Sequence, residues 1–381
     1  MEEKEKRWQK SGPLRLTIAG GGTGGHIFPG IAILAALREI TPVEVLWIGT
    51  GRAVEREILA GMDIDYKQLD ARPVYGVGIG KALSALFGLP ASIFVAKRAL
   101  KGFSPHIVLG IGGYVAGPVL AASRMLRIPL VIHEQNLIPG LTNRWGGRLA
   151  KRIFVSFSGS RSWFPKGKTL LTGNPVRSEF LRGGEVGEPS QRYSDIDQRP
   201  KRILVIGGSQ GARAINRLVT SALTILSESG VDFQVVHQTG RDDLAYTERV
   251  YREAGIRAEV HPFIRDMATR YQWADLVVSR SGAGTCAELA VTGTPSILIP
   301  YPHAASSHQE ANAKELESVG ASITLRESEV GPERLAATIE GLLRDGQRLS
   351  RMSKGALSIA RPEAARIIAE EMLKIAREGS C

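Results

Sequence analysis

The stretch Leu14-Arg-Leu-Thr-Ile-Ala-Gly-Gly-Gly-Thr-Gly-Gly-His26 joins a short apolar run to a loop with five glycines in six residues. A strand that runs directly into G-x-G-x-x-G predicts a parallel α/β unit, in which loop amides and the next helix N-terminus can hold a phosphate. A stretch of the same form, Arg202-Ile-Leu-Val-Ile-Gly-Gly-Ser-Gln-Gly211, opens the second half of the chain. This internal repeat predicts two similar units.

Short β-branched runs alternate with amphipathic stretches along both halves, which is typical of parallel sheets crossed by helices. We therefore expect an α/β protein with two doubly wound, Rossmann-like domains. Between the halves, Arg182–Lys201 is rich in Gly, Pro, Ser and charge, and is predicted to be a linker or surface loop. After the last predicted strand the chain is expected to be helical. The predicted strands are Leu14–Gly20, Val43–Gly49, His106–Gly110, Leu130–His133, Arg152–Phe157, Arg202–Gly207, Phe233–Gln238, Ala274–Ser279 and Ser296–Pro300.

Composition narrows the class of protein. Of 381 residues, 43% are hydrophobic and 23% charged, which excludes disordered, collagen-like and coiled-coil proteins. The two cysteines, Cys286 and Cys381, cannot build a disulfide framework or a Cys-based zinc site. Met1–Lys10 lacks the apolar core of a secretory signal, and Ala82–Ala96 is shorter than the roughly 20 residues of a spanning helix, so we expect a cytosolic protein. The net charge of +11 favours nucleic acid, an anionic membrane surface or a phosphorylated ligand as partner.

The loop Gly20–Gly25 is open to two interpretations. Its pattern suits a dinucleotide, but an NAD site needs an acidic residue near the end of the second strand, where this chain has Gly49-Thr50. Glu44 lies at the opposite end of that strand. A phosphate site remains, beside the alternative that the glycines serve only close packing. His26 follows the loop and is a candidate base, since an imidazole near pH 7 can take a proton from a hydroxyl.

Two later turns, Gly207–Gly211 and Ser279–Thr285, can also offer amides to a diphosphate. The second leads into a helix with Glu288, whose carboxylate can accept hydrogen bonds from both hydroxyls of a ribose. The alternative for Glu288 is an interaction with the helix dipole, worth about 0.3–1 kcal/mol. Asp63-Ile-Asp65 and Asp195-Ile-Asp197 have a spacing that can hold a divalent metal, but neither follows a buried strand. We therefore expect no metal and no cofactor.

Six motifs occur in order along the chain. They are Gly21-Gly-Thr-Gly-Gly-His-Ile-Phe-Pro-Gly30, Gly112-Gly-Tyr-Val-Ala-Gly-Pro118, His133-Glu-Gln-Asn136, Gly173-Asn-Pro-Val-Arg177, Gly208-Ser-Gln-Gly-Ala-Arg213 and Ser281-Gly-Ala-Gly-Thr-Cys-Ala-Glu288. Together they resemble the MurG family, the peptidoglycan N-acetylglucosaminyltransferases that make lipid II from lipid I. The resemblance covers nearly the whole chain. It implies a GT-B fold, with two Rossmann-like domains facing a cleft.

The resemblance also implies an activity and a separate role for each of the two domains. Family members transfer N-acetylglucosamine from UDP-N-acetylglucosamine to the 4-hydroxyl of the muramic acid unit of undecaprenyl-pyrophosphoryl-MurNAc-pentapeptide, with inversion and without metal. The implied acceptor and membrane-facing domain is 1–176 with a C-terminal helix at 361–381, and the implied donor domain is 177–360. The runner-up interpretations are another GT-B UDP-sugar glycosyltransferase and a UDP-GlcNAc epimerase.

The family pattern implies donor contacts at particular residues. They are Thr23, Gly24, Gly25, Asn136, Arg177, Ser209, Ile264, Ala283, Gly284, Thr285, Cys286, Ala287, Glu288 and Gln309. Glu288 would hold the ribose, and Ser209 with neighbouring amides the diphosphate. Gly284 and Cys286 depart from the family pattern, which more often has Leu and then Val or Ala. For the base, His26 is the first candidate and Glu134 the second, because both lie near the carboxyl ends of first-domain strands.

The segment Lys81–Lys101 combines large apolar residues with four cations and no acid. This composition suits a surface in the headgroup region of an anionic leaflet, and the alternative is a core helix with a solvated basic edge. The residues expected to touch the membrane are Leu83, Leu86, Phe87, Ile93, Phe94, Lys97 and Arg98. A lipid-linked acceptor then implies a peripheral protein on the cytoplasmic face of the bacterial plasma membrane. Nucleic acid is not expected as a partner, because no recognised binding motif occurs.

Overall fold

The computed structural model describes residues 12–71, 79–181, 188–208 and 211–379; in the helix that begins at Ile79, side chains are described from Gly88 onward. The chain forms two compact units, Met1–Arg177 with Pro362–Cys381, and Ser178–Arg361. The sequence placed the two boundaries after residues 176 and 360. Met1–Lys10, on which the prediction about a secretory signal depended, lies outside the described residues.

The first unit contains a seven-stranded parallel sheet in the order β3-β2-β1-β4-β5-β6-β7. All residues of β4 and β5 are buried, as expected for strands that carry helices on both faces of the sheet. The strands are β1 Leu14–Gly20, β2 Val43–Gly49, β3 Asp65–Gln68, β4 Ile107–Gly112, β5 Leu130–Glu134, β6 Arg152–Val155 and β7 Thr169–Leu171.

Helices cover both faces of this sheet. They are Gly24–Ile40, Ala53–Leu59, Ile79–Phe103, Ala116–Met125 and Leu141–Leu149, with a 3-10 helix at Ser158–Trp163. The C-terminal helix Ala364–Gly379 also belongs to this unit. Its Met372 is fully buried in the same cluster as Leu34 of the first helix, and its Glu371 forms a 2.9 Å ion pair with Arg152 of β6. The last helix therefore completes the core of the first unit.

The second unit contains a six-stranded parallel sheet in the order β10-β9-β8-β11-β12-β13. Its strands are β8 Lys201–Ile206, β9 Phe233–Gln238, β10 Ala258–His261, β11 Leu276–Ser279, β12 Ser296–Leu298 and β13 Ser322–Thr324. Its helices are Pro189–Arg192, Arg213–Glu228, Leu244–Glu253, Met267–Trp273, Ala283–Thr292, His308–Ser318, Pro332–Leu343 and Gly346–Ser358, with 3-10 helices at Ser178–Phe180, Ile196–Gln198 and Ala305–Ser307. The expected fold class, two Rossmann-like doubly wound domains, is confirmed.

Residues 188–200 do not form the linker or surface loop that the composition predicted. Tyr193 and Ile196 are buried in the core of the second unit. The guanidinium of Arg199 binds both carboxylate oxygens of the buried Asp275, at 2.7 and 2.8 Å. This segment is therefore part of the second unit, and its polar composition reflects ion pairing with the sheet.

Four strands were missed by the sequence patterns: β3, β7, β10 and β13. All four lie at the edges of their sheets, and β3 reads Asp65-Tyr-Lys-Gln68, with no apolar run. The expectation that the chain is helical after the last predicted strand is also wrong, because β13 pairs with β12. Edge strands bury less surface and so need fewer apolar residues.

Candidate active site

Each sheet has one point at which the strand order reverses, between β1 and β4 in the first unit and between β8 and β11 in the second. Open α/β sheets bind ligands at the carboxyl ends of the strands beside such a point. The glycine-rich loops found in the sequence follow β1 and β8. The topology therefore places both loops where a ligand is expected.

Close packing requires glycine at two positions of the loop after β1. Gly20 and Gly21 have φ angles of 141° and 152°, which side chains disfavour. A Cβ on Gly20 would lie 2.4 Å from the carbonyl oxygen of Gly112, and one on Gly21 would lie 2.0 Å from Oε1 of Glu55. Close packing thus explains these two positions. Gly24 is buried and Gly25 exposed in the first turn of the helix that follows. A Cβ on Gly25 would meet only the Thr23 hydroxyl, at 3.8 Å, so packing does not explain this glycine and the phosphate interpretation remains for this part of the loop.

Glu55 is an acidic residue under the loop that the sequence patterns did not single out. Its side chain is fully buried, and its Oε2 accepts hydrogen bonds from the backbone N–H and the hydroxyl of Thr50, at 2.9 and 2.6 Å. An NAD site uses an acidic residue in this region to bind ribose. Because the Glu55 side chain is fully buried and its Oε2 is bonded to Thr50, the residue does not restore the dinucleotide interpretation.

His26 lies in the first turn of the helix Gly24–Ile40 and is half-buried. Its Nδ1 is 3.2 Å from the hydroxyl oxygen of Thr23. On its other side the ring lies against the end of β4, where a Cβ on Gly112 would be 2.9 Å from Cδ2 of His26. The ring is therefore positioned by both loops of the switch point, which is consistent with the role of a base.

Glu134, the second candidate base, ends β5 and is 1% exposed. Its oxygens accept hydrogen bonds from the backbone N–H groups of Asn136 and Gly140, at 2.9 and 3.3 Å, and from the side-chain amides of Asn136 and Asn143, at 3.4 and 2.9 Å. Burial raises the pKa of Glu134 to about 7, against the lowering effect of these hydrogen bonds. The neighbouring His133 is fully buried, and burial lowers its pKa to about 4.

Asn143 joins these groups and was not predicted. Its side-chain amide donates to Glu134 and, at 3.1 Å, to the carbonyl oxygen of His133. A Cβ on Gly112 would lie 3.1 Å from Nε2 of His26 and 3.5 Å from Nδ2 of Asn143. A chain of contacts thus runs from His26 through Gly112 and Asn143 to Glu134. No short-range sequence signal could reveal this contact.

The motif Gly173–Arg177 contributes two side chains of interest. The Arg177 guanidinium lies 4.7 Å from the centroid of the Phe28 ring, a cation–π contact. Asn174 is 5% exposed, and within the described part of the chain neither its amide nitrogen nor its amide oxygen has a hydrogen-bond partner. A buried amide without partners is costly, so Asn174 is a candidate ligand contact that the prediction omitted.

In the second unit, the helix Ala283–Thr292 begins after Gly282, beside the switch point. Cys286 is 1% exposed, and burial raises the pKa of its thiol to about 12, so the thiol is neither exposed nor ionised at neutral pH. A Cβ on Gly284 would meet no atom within 4 Å. The family more often has Leu at this position, and in this chain the space beside Gly284 is open. Ala283 is buried, whereas Thr285 and Ala287 are half-buried.

Glu288 and Gln309 are held by the protein in definite orientations. Glu288 is half-buried and its Oε2 accepts a 3.2 Å hydrogen bond from the hydroxyl of Tyr271. The side-chain oxygen of Gln309 accepts from the backbone N–H of Tyr301 at 2.9 Å, and its carbonyl accepts from the Ser281 hydroxyl at 2.8 Å. Gln309 is therefore tied to the residue that precedes the turn into the helix with Glu288.

Two further implied donor contacts follow β8 and β10. Ile264 is buried, and its backbone N–H donates to the side-chain oxygen of Gln238 at 2.8 Å. Ser209, the implied diphosphate contact, lies outside the described residues. Within the described ranges, no group of three or more His, Cys, Asp or Glu side chains has the arrangement of a metal site.

The helix Ile79–Phe103 contains the residues expected to touch the membrane. Phe94 is 68% exposed and Arg98 is exposed, while Ile93 and Lys97 are half-buried. The side chains of Leu83, Leu86 and Phe87 lie outside the described part of the structure. Among the described helices, none combines the length and the apolar content that a bilayer span requires.

Comparisons with protein families match both units. The family model of the glycosyltransferase family 28 N-terminal domain matches residues 16–155, and that of the family 28 C-terminal domain matches residues 202–370. The UDP-N-acetylglucosamine--N-acetylmuramyl-(pentapeptide) pyrophosphoryl-undecaprenol N-acetylglucosamine transferase of Geobacter metallireducens is 41% identical over 366 residues, which are 96% of this chain and 100% of the relative. The protein of the same name from Myxococcus xanthus is 40% identical over 358 residues, 94% of this chain and 92% of the relative.

Comparison with solved structures also finds a MurG protein. The crystal structure of Acinetobacter baumannii MurG has a TM-score of 0.75 and 32% sequence identity, and the match covers 95% of this chain and 100% of that chain. The UDP-GlcNAc 2-epimerase of Neisseria meningitidis, bound to UDP-GlcNAc, has a TM-score of 0.65 but only 14% identity, over 94% of this chain and 99% of that chain. The likeness to the epimerase is one of fold alone.

Proposed function

The chain belongs to the MurG family within glycosyltransferase family 28, and from that premise we propose how it works on its substrates. It is an N-acetylglucosaminyltransferase of peptidoglycan synthesis that transfers N-acetylglucosamine from UDP-N-acetylglucosamine to undecaprenyl-pyrophosphoryl-MurNAc-pentapeptide, converting lipid I to lipid II. The observation that carries this function is the 41% identity to a transferase of that name over 96% of this chain and the whole length of the relative. The epimerase alternative is not favoured, because the epimerases share only the fold.

We propose that the second unit binds the UDP portion of the donor. Breaking the glycosidic bond leaves negative charge on the β-phosphate, and backbone N–H groups at a helix N-terminus stabilise such charge without a cation. The start of the helix Ala283–Thr292 offers such groups beside the switch point. Glu288, whose carboxylate accepts a hydrogen bond from Tyr271, lies about one turn further on, and we assign to it the hydrogen bonds from the ribose hydroxyls.

We propose that His26 in the first unit is the base that takes the proton of the acceptor 4-hydroxyl. Two observations favour His26 over Glu134. His26 is half-buried and lies at the loop of the switch point, whereas Glu134 is 1% exposed. The Glu134 oxygens also accept hydrogen bonds from four N–H groups. Glu134 is better suited to position Asn136, an implied donor contact, than to accept a proton itself.

We propose further that the helix Ile79–Phe103 docks the first unit on the cytoplasmic leaflet of the plasma membrane. The exposed Phe94 ring and the cations Lys97 and Arg98 have the combination of apolar and basic side chains that anionic interfaces bind. An undecaprenyl chain stays in the bilayer, so an enzyme that uses it must reach the surface. Peripheral attachment supplies that access.

The decisive experiment is transfer of radiolabelled N-acetylglucosamine from UDP-N-acetylglucosamine to a lipid I analogue, with UDP-glucose as the control donor. His26→Ala should lower turnover about 100-fold or more while leaving UDP affinity close to that of the wild type, because general-base catalysis contributes on this scale. Near-normal turnover of His26→Ala together with an inactive Glu134→Gln would move the role of base to Glu134. No transfer by the wild type would contradict the function itself.

Ligand binding gives an independent test of the donor. UDP at about 100 times its dissociation constant should add roughly 2.7 kcal/mol to the free energy of unfolding. NAD should add nothing, because Glu55, the acidic residue under the first loop, is fully buried and its Oε2 is bonded to Thr50. Thermal melts with each ligand measure both effects, and stabilisation by NAD without stabilisation by UDP would contradict the donor assignment.

A further inference from the structure

Gln238 is the last residue of β9 and connects two loops of the second unit. Its side chain is 2% exposed. Its amide nitrogen donates to the carbonyl oxygen of Gly208 at 2.9 Å, and its amide oxygen accepts from the backbone N–H of Ile264 at 2.8 Å. Both ends of one planar amide are thus bonded to backbone groups from segments that are far apart in sequence.

The bond to Gly208 affects the loop after β8 directly. The Gly208 carbonyl oxygen also accepts from the backbone N–H of Gly211 at 3.0 Å. An oxygen whose lone pairs meet two N–H donors presents less negative potential to an approaching anion. Gly211 also packs closely on the end of β9, because a Cβ on Gly211 would lie 2.0 Å from the carbonyl oxygen of Thr239.

The end of β9 is also held by the helix Arg213–Glu228. The buried Asn216 donates from its side-chain amide to the carbonyl oxygen of Thr239 at 2.9 Å, and its amide oxygen lies 3.1 Å from Nε2 of His237. The residues on either side of Gln238 are therefore held by the helix Arg213–Glu228. A rigid support of this kind allows the Gln238 amide to set a distance between the two loops instead of following their movement.

From this geometry we infer that Gln238 is a positioning residue of the donor site, which fixes the spacing between the loop after β8, at Gly208, and the segment at Ile264, an implied donor contact. The inference rests on the proposed function, in which these two segments contact the donor. A ligand that spans both segments, a nucleoside diphosphate, gains from the fixed spacing. A nucleoside monophosphate, which lacks the β-phosphate, gains less. Gln238 therefore contributes to the preference for the diphosphate.

The test compares the dissociation constants of UDP and UMP for three proteins by isothermal titration calorimetry. Gln238→Met keeps the length of the side chain and removes both hydrogen bonds, so the preference for UDP over UMP should fall about 3- to 10-fold, the scale of one net hydrogen bond. The KM for UDP-N-acetylglucosamine should rise by a similar factor with a smaller change in kcat. Gln234→Met, at a half-buried position on the same strand, is the matched control and should keep the wild-type preference.

A second variant separates the two bonds. Gln238→Glu keeps an acceptor for Ile264 but places a carboxylate oxygen against the Gly208 carbonyl, so it should lose more of the UDP preference than Gln238→Met. If Gln238→Met does not fold, Gln238→Glu serves as the test in its place. An unchanged preference in a folded variant, or failure of both variants to fold, would overturn the inference in favour of a purely structural role. A wild type that binds UDP no better than UMP would contradict the proposed donor instead.

Discussion

The hydroxyl oxygen of Thr23 lies 3.2 Å from Nδ1 of His26, although Thr23 is the N-cap of the helix Gly24–Ile40. An N-cap threonine ordinarily accepts a hydrogen bond from a backbone N–H of the first turn, and Thr23 makes no such bond. When Nδ1–H donates to this hydroxyl, Nε2 holds the lone pair that a base needs. The contact therefore gives Thr23 a second possible role, beside the donor contact that the family motif implies.

Thr23→Val removes the hydroxyl that orients the His26 ring. We expect kcat to fall about tenfold, a fraction of the effect of losing the base, while the KM for UDP-N-acetylglucosamine stays near the wild-type value. Thr23→Ser, which keeps the hydroxyl, should restore kcat. Steady-state kinetics measures both constants. A raised KM with unchanged kcat would show instead that Thr23 contacts the donor.

Glu134→Gln should change how stability depends on pH. Because burial raises the pKa of Glu134 to about 7, the folded protein binds a proton that the unfolded chain has released, and wild-type stability falls as pH rises from about 4.5 to 7. The variant has no carboxyl group at this position, so it does not lose stability in this way. Between about pH 4.5 and 7, its free energy of unfolding should therefore rise by about 2–3 kcal/mol relative to that of the wild type.

Urea titrations of both proteins at several pH values measure this difference. The lowered pKa of His133 acts in the opposite direction, but it is present in both proteins and largely cancels. A difference that does not vary with pH would mean that the four hydrogen bonds keep Glu134 ionised.

Asn174→Leu should stabilise the protein without ligand. Replacing a buried amide that lacks partners by an apolar side chain of similar size removes a desolvation cost of about 1 kcal/mol or more. For units of this size that corresponds to a rise in Tm of about 2–4 °C by calorimetry. If Asn174 contacts a substrate, kcat/KM should fall in the same variant. A lower Tm would indicate that solvent satisfies the amide.

Glu288→Ala should raise the KM for UDP-N-acetylglucosamine at least tenfold, because hydrogen bonds to a charged group are each worth about 1.5–3 kcal/mol. Tyr271→Phe removes only the hydroxyl that donates to Glu288 and should raise KM about threefold. Circular dichroism serves as the control for folding. If Glu288→Ala fails to fold, the residue is structural and not a ribose contact.

Phe94→Ser should weaken sedimentation with anionic phospholipid vesicles severalfold and leave UDP binding unchanged. The ring is 68% exposed on the helix Ile79–Phe103, so its loss costs little stability but removes apolar area from the docking surface. Ile40→Ser is the matched control, since Ile40 is an exposed apolar residue of another helix in the same unit. Equal binding by both variants would show that this helix is not the docking face.

The central strands could be predicted from sequence, whereas the edges could not. Strands β1, β4 and β5 are buried on both faces and read as apolar runs, which single-sequence patterns detect. The edge strand Asp65–Gln68 has exposed or half-buried side chains throughout, so nothing in its composition separates it from a loop. Its pairing depends on the neighbouring strand, which lies elsewhere in the sequence.

The same distinction applies to the candidate site. The glycine loops, His26 and Glu288 were found because each belongs to a short motif beside a predicted strand. Asn143 and Gln238 were not, because their positions follow from contacts with Glu134 and with Gly208 and Ile264. A lone amide in a sequence carries no signal of such partners, whose arrangement only the folded chain supplies.

The position of the C-terminal helix has a consequence for biosynthesis. Because Met372 and Ala376 fill the core that also contains Leu14, the first unit cannot close until the helix Ala364–Gly379 has been synthesised. The second unit, Ser178–Arg361, leaves the exit tunnel earlier and can fold first. During that interval the nascent first unit exposes apolar residues such as Leu34, so it is the half of the chain that most needs a chaperone.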